Sequence, residues 1–184
     1  IDEGTEASQI LNSALLPGME VVGERMENGD MFIPEVLMSA KAMSGALEIL
    51  KPLLSAEESK SAGKILIGTV KGDLHDIGKN LVSMMLESAG FEVINLGVDI
   101  APEGFVEAVK KHEPQIVALS ALLTTTMTQM QKTIDALKEN GLKDQVKVIV
   151  GGAPVTEKFA KEIGAEGYAP DAGSANKLAR SLLQ

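Results

Sequence analysis

The spacing of apolar residues changes character about one third of the way along the chain. From Ile10 to Leu54 they recur at intervals of three and four, as in Val36, Leu37, Ala40, Met43, Leu47, Leu50 and Leu54, and β-branched runs are scarce. That spacing lines one face of a helix. Breaks fall at Pro17-Gly18, at Glu27-Asn28-Gly29-Asp30 and at Pro34. Proline suits the first turn of a new helix, where its missing N–H would be unpaired anyway. The pattern predicts three helices, each too short to be stable alone. The small, polar run from Ser55 to Gly63, SAEESKSAG, reads as a linker.

Beyond it, β-rich runs alternate with amphipathic segments. Strands are predicted at Lys64–Val70, Phe91–Leu96, Gln115–Ser120, Val146–Val150 and Glu166–Ala169, with helices at about 77–89, 102–112, 125–139, 155–163 and 173–183. Strands such as KILIGTV are apolar on both faces, which fits a parallel sheet covered by helices on both sides. The expected fold is therefore α/β. A helical bundle with its linker occupies residues 1–62, and a doubly wound, five-stranded, Rossmann-like domain occupies residues 63–184. Ligands of such sheets sit beyond the carboxyl ends of the strands, where the strand order reverses. Four loops lie there: GDLHDIG after the first strand, Gly97-Val98-Asp99, Ser120 to Thr126, and Gly151-Gly152-Ala153-Pro154.

Composition narrows the chemistry. The 184 residues contain no cysteine, which excludes disulfides, thiolate metal sites and cysteine nucleophiles and fits a reducing cytoplasm. No apolar run approaches the roughly 20 residues of a membrane helix, so a soluble protein is expected, with no membrane partner. A net charge of −9 and 3% aromatic residues argue against nucleic acid as a partner. Residues 1–63 hold −7 of that charge, as a solvated helical surface or a face for a partner.

Neither G-x-G-x-x-G nor a P-loop is present, and a phosphoryl receiver would need an aspartate where Ser120 stands. His75 is one of two histidines, and without cysteine a protein-only zinc set cannot be filled with nitrogen and sulfur. One histidine suffices where a macrocycle supplies four in-plane nitrogens. Asp73, two residues earlier, can then accept the other ring N–H and fix the tautomer. The same residues also read as a polar loop histidine with Asp73 or Asp76 capping the helix that starts at Ile77. His112 reads as a solvated helix end.

Three motifs appear in order at the strand ends: D-x-H-x-x-G (Asp73, His75, Gly78), S-x-L (Ser120, Leu122) and the pair Gly151-Gly152. Together they resemble the cobalamin-binding domain of cobalamin-dependent methionine synthase, of corrinoid methyltransferase proteins and of cobalamin mutases. The resemblance implies that His75 is the lower ligand of cobalt and that Asp73 hydrogen-bonds it, with Thr126 as the third member of the relay. It implies that Gly72, Leu74 and Asp76 belong to the same binding loop and that Ser120 bonds the displaced base. The resemblance also implies Thr124, a neighbour of Thr126, as a residue that bonds the nucleotide tail. Gly151 and Gly152 let the backbone approach that tail, and Tyr168 and Ala172 line the cleft; a tight turn is the plain alternative for the glycines.

GERMENGDMFIPEV, residues 23–36, resembles the helical cap of methionine synthase and of the methyltransferase corrinoid proteins, which mutases lack. Met26 and Ile33 match the apolar side chains that cover the reactive face. Five of the nine methionines lie in this half, where a core role is the plain alternative. Such caps usually begin one helix earlier, so residues 1–10 are expected to be the remainder of a shortened cap.

The resemblance implies a corrinoid methyl carrier that cycles through cobalt(I), cobalt(II) and methylcobalt(III). It is a subunit that acts only with others: a methyl-donor-specific methyltransferase, a second methyltransferase using tetrahydrofolate or coenzyme M, and a reductive activase. The cobalamin module of a methionine synthase is an alternative reading. A cobalamin-sensing regulator is another, against which the acidity counts.

Overall fold

The computed structural model describes residues 4–54 and 61–183. Of the predicted linker, residues 55–60 lie outside the described residues, as do residues 1–3. Five parallel strands, β1 (Lys64–Thr69), β2 (Glu92–Asn95), β3 (Ile116–Ser120), β4 (Lys147–Gly151) and β5 (Gly167–Ala169), form one sheet in the order β2-β1-β3-β4-β5. The order reverses between β1 and β3. Thr69, Ser120, Gly151 and Ala169 stand level at the carboxyl ends of four of these strands.

The helices of this part are α4 (Ile77–Ser88), α5 (Pro102–His112), α6 (Met127–Glu139), α7 (Glu157–Ile163) and α8 (Ala172–Leu183). Strand residues alternate between two cores. Leu66, Val117, Leu119, Val148 and Val150 pack with Phe105, Met130, Ile134, Leu137 and Ile163 of α5, α6 and α7. Ile65, Ile67, Ile116, Ala118 and Ile149 pack on the other face with Leu86, Phe91 and Ala179. Burial on both faces is why these strands carry no polar alternation.

The helical region departs from expectation at Pro17. The chain is helical from α1 (Ala7–Ile10) through a π-helical segment (Leu11–Leu15) into α2 (Leu16–Glu27), where a break was predicted. The widened turn ends just before Pro17, which falls in the first turn of α2. The proline ring thus meets a ladder already out of α register. Two long runs replace the three predicted helices, the second being α3 (Ile33–Leu50), followed by a short 3₁₀ turn at Lys51–Leu53. The start of α3 is fixed by Glu35, whose Oε2 accepts from the Phe32 N–H at 2.8 Å, as in a capping box.

Met19, Val36, Ala40 and Met43 pack against Leu81, Met85 and Ala172, seating the helical region on α4 and α8. Helices α2 and α8 meet backbone to backbone where Gly23 touches Gly173, and a Cβ on Gly173 would strike the Gly23 carbonyl oxygen. Lys177–Glu27 (2.5 Å) and Arg180–Glu20 (3.7 Å) span the same seam, but both pairs are partly exposed and contribute little.

Gly173→Ala should lower stability by about 1–3 kcal/mol despite the better helix propensity of alanine, because a backbone atom cannot step aside. Gly45→Ala, in α3 with nothing within 4 Å of the added Cβ, should instead raise it by about 0.5–1 kcal/mol. Chemical denaturation of the two variants checks the contrast.

Candidate functional site

Asp73 sits in the loop between β1 and α4 with its side chain fully buried. Its Oδ1 accepts from the His75 backbone N–H at 3.1 Å and lies 2.7 Å from His75 Nδ1. Its Oδ2 accepts from Leu122 N–H (2.8 Å), Leu123 N–H (3.2 Å) and the Thr126 hydroxyl (2.7 Å). Thr126 Oγ1 also lies 2.9 Å from the Leu123 carbonyl, but it has one proton, and the carboxylate is the stronger acceptor. Burial alone would raise the Asp73 pKa. The hydrogen bonds from Thr126, the His75 ring and the backbone outweigh it and hold the carboxyl far below the usual carboxylate range.

An ionised carboxylate only accepts, so His75 Nδ1 must carry the proton. In the neutral ring Nε2 then keeps its lone pair, and the side chain is half exposed. The backbone is pinned as well, with Thr69 Oγ1 donating to the His75 carbonyl at 3.0 Å. Asp76 occupies the cap position of α4 but makes no capping bond; its Oδ2 accepts from Asn80 Nδ2 at 2.9 Å instead.

His75 opens onto a cleft of about 510 Å³, a size usual for small-molecule sites, between α4 and α8 at the strand ends. Leu74, Asp76, Gly78, Ser120, Leu122, Gly151, Gly152, Ala172 and Met26 all line it. Ile67, Ala118 and Ile149, unpredicted at this site, also line it. A Cβ on Gly78 would meet nothing within 4 Å, so the protein itself leaves that space free. Leu74 and Ile77 are 71% and 79% exposed, leaving an apolar rim beside His75.

Four predicted residues stand elsewhere. Tyr168 packs into the core on the opposite face of the sheet and does not line the cleft, because side chains alternate along β5 and its neighbour Ala169 takes the cleft side. Thr124 is exposed on the loop after β3, and Ile33 is exposed at the start of α3, both outside the cleft lining. Gly72 serves the turn, with φ of 81° and its N–H on Asp99 Oδ1 at 2.7 Å. The purpose of Gly152 also differs from expectation: φ is 126°, and a Cβ there would strike the Ala121 carbonyl, so its bareness brings two protein loops together.

Sequence reasoning missed Lys79, which also lines the cleft and is 4% exposed. Burial pushes its ammonium pKa down, and the charge of Asp76 opposes that shift. The signal was its place on the i, i+4, i+7 stripe with buried Ser83 and Leu86.

Among the described residues no group of three or more His, Cys, Asp or Glu side chains is arranged to hold a metal ion. A metal on His75 therefore needs its other ligands from a cofactor. The bare Nε2, the apolar rim, the space at Gly78 and the adjoining cleft fit a flat macrocycle with an appended tail. Nor, among the described residues, is any helix long and apolar enough to cross a membrane.

His75 and its cleft, at the switch point of a doubly wound sheet, belong to a B12-binding domain by the family match to this segment. B12 binding domain models match residues 63–175 and, separately, residues 1–51. The chain belongs to the corrinoid proteins of methyltransferase systems. A corrinoid protein of Desulfitobacterium hafniense is 46% identical over all of this chain and 86% of its own length. Trimethylamine corrinoid protein 1 of Methanosarcina mazei is 45% identical over 98% of this chain and 85% of its own. In the methanol:cobalamin methyltransferase complex of Methanosarcina barkeri, one chain superposes with a TM-score of 0.85 at 35% identity, over 100% of this chain and 70% of that one.

Asp73→Asn should cost about 2–4 kcal/mol, since an amide cannot accept from every donor around it. Because the folded pKa of Asp73 lies below the unfolded value of about 3.9, its stabilisation is complete above roughly pH 5 and fades as pH falls below that. Denaturation across pH should therefore show the gap between wild type and Asp73→Asn constant near neutrality and narrowing in acid.

Proposed function

We propose that this protein carries a methyl group on a corrinoid between two methyltransferases, one specific for the methyl donor and one using tetrahydrofolate or coenzyme M. A reductive activase restores the cofactor when it is oxidised. The observation that carries the reading is the His75 ring, anchored through Nδ1 to Asp73 with Nε2 bare at the mouth of an apolar cleft. The corrinoid supplies the nucleophilic cobalt, and the protein supplies ligation, shelter and delivery.

His75 Nε2 would hold the cobalt, Ser120 would hydrogen-bond the cofactor's nucleotide base, and Gly78, Gly151, Gly152 and Ala172, which line the cleft, would border its tail. Thr126, Leu122 and Leu123 keep Asp73 ionised, and the ionised Asp73 keeps the His75 proton on Nδ1.

The helical part, residues 1–62, acts as the cap and residues 63–184 as the cofactor domain. Met26 of α2 lines the same cleft as His75, so the cap overhangs the site and must turn aside for a methyltransferase to reach it.

Electron paramagnetic resonance of the corrinoid-loaded protein in its cobalt(II) form tests the assignment. Nitrogen splitting from the lower ligand is expected in the wild type and should vanish in His75→Ala. Splitting that survives the substitution unchanged would rule His75 out as the ligand.

A further inference from the structure

Lys79 breaks two local rules at once. It is a cation in the first turn of a helix, where the dipole disfavours positive charge, and it is buried. Among the described residues it forms no ion pair within 4 Å; its Nζ donates to two neutral amide oxygens, Asn95 Oδ1 at 2.6 Å and Asn80 Oδ1 at 2.8 Å. Such conflicts between local preference and structure concentrate where function demands them.

We infer that Lys79 is a positioning residue for His75, acting through Asn80, Asn95 and the end of β2. An ammonium only donates, so both asparagines must turn their oxygens toward it, and this fixes where their NH₂ groups point. Asn80 Nδ2 is thereby aimed at Asp76, the residue directly after His75. Asn95 Nδ2 donates to Asn80 Oδ1 at 3.1 Å, and Asn95 Oδ1 also accepts from the Gly97 N–H at 3.0 Å.

The segment so anchored reaches the other side of His75. The Asp99 N–H donates to the Asp73 carbonyl at 3.0 Å, and Asp99 Oδ1 accepts from the Gly72 N–H at 2.7 Å. Asp99 adopts a left-handed φ of 56° to do so. Residues 72–73 and residue 76 are thus both tied to the 95–99 stretch, with Lys79 at the junction. A neutral side chain at position 79 frees both amides to rotate and loosens the histidine loop at its two ends.

The ligand role of His75 rests on the proposed function, so the test has one arm with cofactor and one without. In cofactor-free protein, Lys79→Met should speed hydrogen exchange of the amides of residues 72–76 by about tenfold while leaving those of Ile65–Ile67 and Val117–Leu119 unchanged. In loaded cobalt(II) protein the fraction showing lower-ligand nitrogen splitting should fall at least about threefold. Asn95→Ala, at an exposed position, should reproduce both effects, and adding it to Lys79→Met should add nothing. Asn95→Asp keeps the acceptor for Lys79 and for the Gly97 N–H and loses only the bond from Asn95 Nδ2 to Asn80 Oδ1, so both effects should be clearly smaller than in Asn95→Ala. Unchanged exchange in residues 72–76, a rise that is uniform across the sheet, or additive effects would overturn the inference. Should Lys79→Met not fold, the contrast of Asn95→Ala with Asn95→Asp decides. Wild-type protein lacking nitrogen splitting would count against the ligand role alone, because the exchange arm needs no cobalt.

Discussion

The buried carboxylate of Asp73 holds together two stretches far apart in the chain, the loop after β1 and the loop after β3. Its five donors come from its own loop, from the backbone after β3 and from the first residue before α6. A lone buried carboxylate would be costly; one surrounded by donors stays ionised, and that charge dictates the His75 tautomer. The reactive atom of the site is thus chosen by a group that faces away from the cleft. Removing any one donor leaves the others in place, whereas removing the carboxylate leaves several N–H and O–H groups without an acceptor.

The sheet makes this arrangement possible. Reversal of strand order between β1 and β3 opens the gap in which the His75 loop and the loop after β3 can face each other. The absence of a Cβ at Gly152 brings the β4 loop up against Ala121, closing the far side of the cleft. The helical region seats on α4 and α8 through small and flexible side chains, with the Gly23 to Gly173 contact as its closest approach. The rest of the seam is weak, partly exposed ion pairs and methionine packing.

Much of this was legible beforehand, for reasons specific to each element. Strands β1, β3 and β4 announced themselves because burial on both faces left uninterrupted apolar runs bounded by loop residues. The Asp73–His75 pairing was legible from spacing, and Gly78 and Thr126 entered only through the family resemblance, since nothing local says that the Thr126 hydroxyl meets a carboxylate 53 positions earlier. The break expected at Pro17 was misread because a π-helical turn has no sequence signature. Tyr168 was assigned to the wrong face because β5 is three residues long, too short for its alternation to be read. Gly152 was read as a close approach to a cofactor tail, whereas the approach the structure shows is to Ala121, a long-range contact within the protein. Lys79 escaped because a lysine in a first helical turn ordinarily points to solvent.

The central claim is that Asp73 fixes the His75 imidazole with its proton on Nδ1 and its lone pair on Nε2. The most direct measurement is nitrogen-15 NMR of the His75 ring in cofactor-free protein at a pH where the ring is neutral. The structure predicts an Nδ1-protonated ring in wild type that shifts toward the Nε2-protonated form in Asp73→Ala. A wild-type ring protonated at Nε2 would contradict it, because no lone pair would then face the cleft.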